Sequence, residues 1–223
     1  MSGNLVALLH LCDSLFPIGS FAHSDGLEAA TVTGEIQTVR DLRSWMEVTL
    51  TETLRRIEGP AVARAWDAAS HLEPELLARI DDEVYALRPS STGRESTRAM
   101  GTRLLKTWQQ IRPQESAVIA RLERPHLTLP VAFGVVAAAS DIGSPEAVEG
   151  FVYTRLASTI SAAMRLMPLG QRDGHELLAE MLARVPALAE AIAADNSPLG
   201  AFTPILDVTV MSQQYVESRL FKS

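Results

Sequence analysis

Histidine, cysteine and aspartate stand close together near the start of the chain, as His10, Cys12, Asp13 and His23. These are the donor types of a transition-metal site. Their spacing does not support one. His10 and Cys12 are two apart, which on a helix turns them to different sides. The sequence has no His-x-x-x-His, no Cys-x-x-Cys and no histidine-rich tract. The expectation is a packed Cys12, a hydrogen-bonded or exposed His10, and no resident metal. His23-Ser24-Asp25 contains the three residue types of a hydrolytic triad. Adjacent residues do not face one another as a triad must, so loop capping is the expected role. No G-x-x-x-x-G-K-[ST] phosphate loop occurs, so the chain is not itself a GTPase of that type.

Three arginines offer binding chemistry instead. Arg94 and Arg98 are four apart at a helix start and share one face. They are either solvated arginines beside a capping Glu95, or part of a protein–protein surface suited to arginine's fixed donor fork. An arginine finger for a partner nucleotidase is a sharper version of the second reading. Arg165 closes a polar stripe of Thr154, Arg155, Ser158 and Ser161 on an otherwise apolar helix. Such a stripe among small residues fits a seam against a second subunit or partner.

The elements that carry these groups read as helices throughout, because apolar residues recur at helical rather than alternating spacing. Leu5, Leu8, Leu9 and Cys12 form one stripe before Pro17. Thr38 and Asp41 have the spacing to cap the next helix, expected to reach Ile57 and stop before Gly59-Pro60. Shorter helices are expected at residues 61–70 and 74–87. Thr92 and Glu95 then suggest a capping box, with Met100, Leu104, Trp108 and Ile111 lining one face. Residues 130–140 lack a polar face and are expected at the centre. Ser144-Pro145-Glu146 starts a helix predicted to reach Leu166, roughly 35 Å long. Leu206, Val208 and Val210 alternate and also suit a strand. The expected fold class is all-α, a single bundle-like domain (1–223) of about ten helices, with residues 204–223 as a tail docking a partner.

Composition bounds the partners. Of 223 residues, 47% are hydrophobic and 5% aromatic, which specifies an aliphatic core of sizeable extent. With 20 basic against 27 acidic residues, the net charge of −7 argues against nucleic acid. The lone Cys12 excludes an intrachain disulfide and fits a reducing compartment. The longest apolar run, residues 129–139, contains Pro130 and Gly134 and falls short of the ~20 residues a membrane span needs. With no secretory signal at the N-terminus, a cytoplasmic location is expected.

Four stretches, in order along nearly the whole chain, carry a family resemblance. They are D-S-L-F-P-I-G-S-F-A-H-S-D-G-L-E-A-A at Asp13–Ala30, R-E-S-T-R-A-M-G-T-R-L-L at Arg94–Leu105, S-A-A-M-R-L-M-P-L-G-Q-R-D-G at Ser161–Gly174, and the ending from Pro204 to Ser223. Together they resemble the F-type urease accessory proteins (UreF). The resemblance implies a non-enzymatic, cofactor-free chaperone of nickel insertion. Its expected partners are the UreD/UreH accessory protein, the UreG GTPase and apo-urease, and a homodimer is expected. The positions expected to contact partners are Phe16, Phe21, His23, Glu28, Arg94, Arg98, Arg165, Gln171, Tyr215, Arg219, Leu220 and Phe221. Tyr215, Leu220 and Phe221 are large apolar groups near a free terminus, where polar residues are usual, and imply docking onto the body or a partner. A rival reading from another class is an all-helical enzyme or small-ligand protein using the Phe16–Glu28 loop. A third is a true activator of the GTPase.

Overall fold

A computed structural model describes residues 2–217 and 219–222. Twelve α-helical segments follow in order: α1 (Ser2–Leu11), α2 (Leu27–Val32), α3 (Val39–Val48), α4 (Gly59–Ser70), α5 (Pro74–Ala86), α6 (Ser91–Ile111), α7 (Ser116–Arg121), α8 (Leu129–Ala139), α9 (Ser144–Leu166), α10 (Gln171–Leu182), α11 (Val185–Ala193) and α12 (Pro204–Ser212). No strand occurs among the described residues, so the fold is all-α. The alternating Leu206, Val208 and Val210 lie within α12, not in a strand. Pro204 presets the first helical turn, and Thr203 Oγ1 donates to Asp207 Oδ1 at 3.0 Å to hold that turn closed.

The centre is α8, as its unbroken apolar face predicts. Residues Leu129–Ala137 are all buried, enclosed by α4, α6 and α9. Gly134 lets α8 lie against the α4 backbone: a Cβ there would stand 2.4 Å from Val62 O. Across the α8–α9 contact, Phe133 and Phe151 meet edge to face at 5.3 Å. Helix α9 runs from Ser144 to Leu166 and buries Val148, Phe151, Val152, Leu156, Ile160 and Ala163. Its cap is Gly143, with no side-chain bond, so Ser144 opens the helix rather than capping it.

The helix starting at Val39 has the expected capping box: Asp41 N donates to Thr38 Oγ1 and Thr38 N to Asp41 Oδ2. It does not stop before Gly59-Pro60. Residues Thr49–Glu58 widen into a π-helix that passes straight into α4. Proline lacks the N–H that would close the turn onto the carbonyl four residues back. Close by, Arg56 O accepts from Gly200 N at 3.3 Å. The wider turn and this distant donor accommodate the proline without a break.

Two further starts differ from expectation. The α6 cap is Ser90, whose Oγ accepts from Gly93 N at 3.0 Å, while Thr92 lies inside the helix. On α1 the buried residues are Ala7 and Leu11, while Leu5 and Leu9 are exposed. The helix rests on α9 by its small face, with Gly150 receiving Leu8 and Cys12. On α6, Met100, Leu104 and Trp108 are buried, but Ile111 at the end is exposed.

Candidate functional site

The Phe16–Glu28 loop and the C-terminal tail meet over α9. Gly19 and Gly26 take positive φ at 84° and 87°, turning the chain sharply on either side of Phe21 and His23. Glu28, in the first turn of α2, is 2% exposed and points at the tail. Its carboxylate accepts from Leu220 N at 2.5 Å, Phe221 N at 3.2 Å and Gln213 Nε2 at 2.6 Å. Gln213 Oε1 in turn accepts from Ala29 N at 2.9 Å. A buried carboxylate is tolerated here because several N–H donors replace its water. Phe221 is 2% exposed, and the Arg165 guanidinium lies 4.2 Å from its ring centre. Arg165 also donates to Phe21 O at 3.0 Å, and Lys222 N donates to Ala22 O at 2.7 Å. The structure therefore brings Phe21, Glu28, Arg165, Leu220 and Phe221 into one clasp.

Beside the clasp, His23 contacts Ser96 Oγ at 2.8 Å. Burial, offset only in part by the Asp25 carboxylate, holds the imidazole below the usual histidine range. Asp25 joins an ion network that sequence reasoning missed. Arg155 binds Asp25 and also Glu58 Oε2 at 3.1 Å, while Arg88 binds the other oxygen of Glu58. Burial favours protonation of Asp25, yet Arg155 and Arg88 outweigh it and hold the carboxyl below its ordinary range. Arg155 is thus not part of an exposed stripe; it is turned inward, its side chain 14% exposed. The network walls a cavity of about 120 Å³ under α12, with Thr49 and Thr53 of the π-helix opposite. One signal was readable: Glu58 follows Leu50 and Leu54 at helical spacing, a charged residue on a buried face.

The other predicted positions lie elsewhere. Phe16 is buried against His10 and Trp108, with ring centres 5.6 and 5.7 Å away. Arg98 pairs with Asp81 at 3.2 Å and sits 4.0 Å over the Tyr85 ring; Arg94 donates to Arg88 O. Gln171 is exposed at the start of α10, and Tyr215 and Arg219 are exposed on the tail. Cys12 is packed, and burial pushes its thiol up to about 12. Among the described residues, no three His, Cys, Asp or Glu side chains gather where they could hold a metal ion.

Two open surfaces lie near the clasp. A pocket of about 330 Å³ beside the loop is lined by Phe21, Ser158, Ser161, Met164 and His175. On the outer side of α12, Phe202, Ile205, Val208 and Tyr215 are 83, 73, 61 and 78% exposed, with Leu220 at 59% beyond them. No helix among the described residues is long and apolar enough to cross a membrane.

Fold and site define an all-helical protein whose N-terminal loop and C-terminal tail are pinned together. The family model for UreF matches residues 36–182. The urease accessory protein UreF of Azoarcus sp. (strain BH72) is 32% identical over 98% of this chain and 95% of its own length. That of Rhodopseudomonas palustris (strain BisA53) is 30% identical over 100% of this chain and 94% of its own. The Methylorubrum populi protein of the same name is 33% identical over 93% and 94%. This chain belongs to the UreF family of urease accessory proteins.

Proposed function

We propose that this chain is a cytoplasmic, non-catalytic scaffold of urease maturation that binds a UreD/UreH-type accessory protein and, through that pair, positions the UreG GTPase for nickel delivery to apo-urease. The observation that carries this reading is the exposed apolar row of α12 and the tail. Phe202, Ile205, Val208, Tyr215 and Leu220 all stand in water, and Ile205 and Val208 share one side of α12 at i, i+3 spacing. Exposed apolar side chains grouped on and beside one helix mark a candidate binding surface, and burying aromatic and aliphatic anchors is what stabilises such contacts. The clasp supports the same reading, because Glu28 fixes Leu220 and Phe221 and so orders the outer residues for a partner. A homodimer forms in this proposal along α9, where Ser158 and Ser161 flank the open pocket beside the loop.

The test replaces Ile205 and Val208 together by Asp and measures capture of the chain by the UreD/UreH-type protein. Both side chains point into solvent, so helical content should be unchanged. Capture should fall at least tenfold. Unchanged capture would move the partner surface off α12.

A further inference from the structure

Cations from three elements surround the loop between Ile18 and Asp25. Arg103 of α6 donates to Ile18 O at 3.0 Å, Arg165 of α9 donates to Phe21 O at 3.0 Å, and Arg155 of α9 binds Asp25. The tail joins between them, where Lys222 N donates to Ala22 O at 2.7 Å. His23 is the next residue. The charged groups that face its ring are Asp25 on its own loop, Arg103 on α6, Arg155 on α9 and Lys222 on the tail. Three of these are cations, and the acid, Asp25, already answers Arg155. Glu28, the next acid along the chain, is taken up by Leu220 N, Phe221 N and Gln213 Nε2. A neutral ring suits this setting better than a charged one.

We propose that His23 is a proton-sensitive pin of the clasp: a proton taken up by its ring parts the loop from the tail and frees Leu220, Phe221 and Lys222. Charge and hydrogen bonding act in the same sense. An imidazolium adds a fourth cation beside Arg103, Arg155 and Lys222. Both of its nitrogens are donors, so Ser96 Oγ, 2.8 Å away, can no longer donate to the ring. Gly19 and Gly26, with φ of 84° and 87°, bracket the segment and give it two points at which to swing. In the closed clasp, burial first and then the three cations outweigh Asp25 and hold the ring below the ordinary histidine range. Opening returns the ring to water and to that range. Closing is therefore unopposed above the range of a free histidine and loses stability as pH falls through it. Only the consequence for partner capture, through Leu220, rests on the docking role proposed above.

The experiment is hydrogen exchange on the full chain, read at the Leu220, Phe221 and Lys222 amides and corrected for intrinsic exchange at each pH. Between about pH 7.5 and about pH 5.5 their protection should fall at least about threefold, with about tenfold the ceiling for one proton bound normally in the open form. Amides of α8 should keep their protection over the same range. His23→Gln retains a hydrogen-bonding side chain opposite Ser96 but does not titrate, and its tail protection should change less than about twofold. Constant protection in the wild type, an equal fall in His23→Gln, or an equal fall across α8 would each overturn the proposal. Should His23→Gln open the clasp at neutral pH, an NMR titration of the wild-type His23 ring decides. A midpoint below that of free histidine is expected, and one at or above it overturns the pin. The tail amides are read with no partner present, so failure here and failure of the α12 surface are separable.

Discussion

At the scale of single residues, Glu28 shows how one side chain joins the two ends of the chain. Its two oxygens accept only from donors: the Leu220 and Phe221 N–H groups and the Gln213 amide. An isosteric Glu28→Gln replaces one acceptor by a donor, so one edge of the new amide would face an N–H with nothing to receive. A buried group left unsatisfied costs about 1–3 kcal/mol. We expect the urea midpoint to fall accordingly and the residues beyond Gln213 to become the first site of limited proteolysis. A variant with unchanged midpoint and an intact tail would show that the carboxylate holds nothing. The residue type was visible in the sequence, since Glu28 lies in the signature stretch. Its role was not, because the donors lie at the far end of the chain.

At the scale of elements, local rules read well where the partner of each group is close in sequence. The Thr38–Asp41 cap, the faceless α8 and the long α9 were all legible. They failed where a distant group intervenes. Pro60 should end a helix, but the chain widens into a π-helix before it and Gly200 N bonds Arg56 O alongside. The Asp25–Arg155–Glu58–Arg88 network joins four separate segments, so no window of sequence could contain it. Gly101, within the Arg94–Leu105 stretch, has a similar long-range cause. A Cβ there would lie 2.1 Å from Leu127 O and 2.8 Å from Thr128 O, both backbone atoms unable to swing aside. Gly101→Ala should favour the isolated helix by intrinsic propensity. Separation of α6 from the entry to α8 should outweigh that gain and destabilise the chain by about 1–3 kcal/mol. A thermal melt showing a more stable variant would mean that the α6–α8 approach relaxes freely.

At the scale of the whole molecule, the tail joins the hydrophobic core through Phe221, the docking onto the body that was one of its two expected alternatives. Turn signals from Asn196 to Pro204 set residues 204–223 off from the body in the sequence, yet the end of the tail is not a loose appendage. Phe221 sits 2% exposed within the shared core, beneath the Arg165 guanidinium. Burying a phenylalanine contributes about 1.5–3 kcal/mol, and Glu28 would lose its donors as well. Deleting Tyr215–Ser223 should therefore lower stability by about 3 kcal/mol or more. The loss should be local in its structural effect. Helices α4, α6, α8 and α9 bury one another without help from the tail, whereas α2 and the loop before it depend on Gln213, Phe221 and the Lys222 N–H. Hydrogen exchange on the truncated chain should show lost protection at residues 22–30 and retained protection across α8. Partner capture should then fail for two reasons at once, because Tyr215 and Leu220 are missing and the loop has lost its anchor. Equal loss of protection in α8 would make the tail part of a single cooperative unit. Full protection at residues 22–30 would mean that the loop holds its shape alone and that the tail rests on it without shaping it.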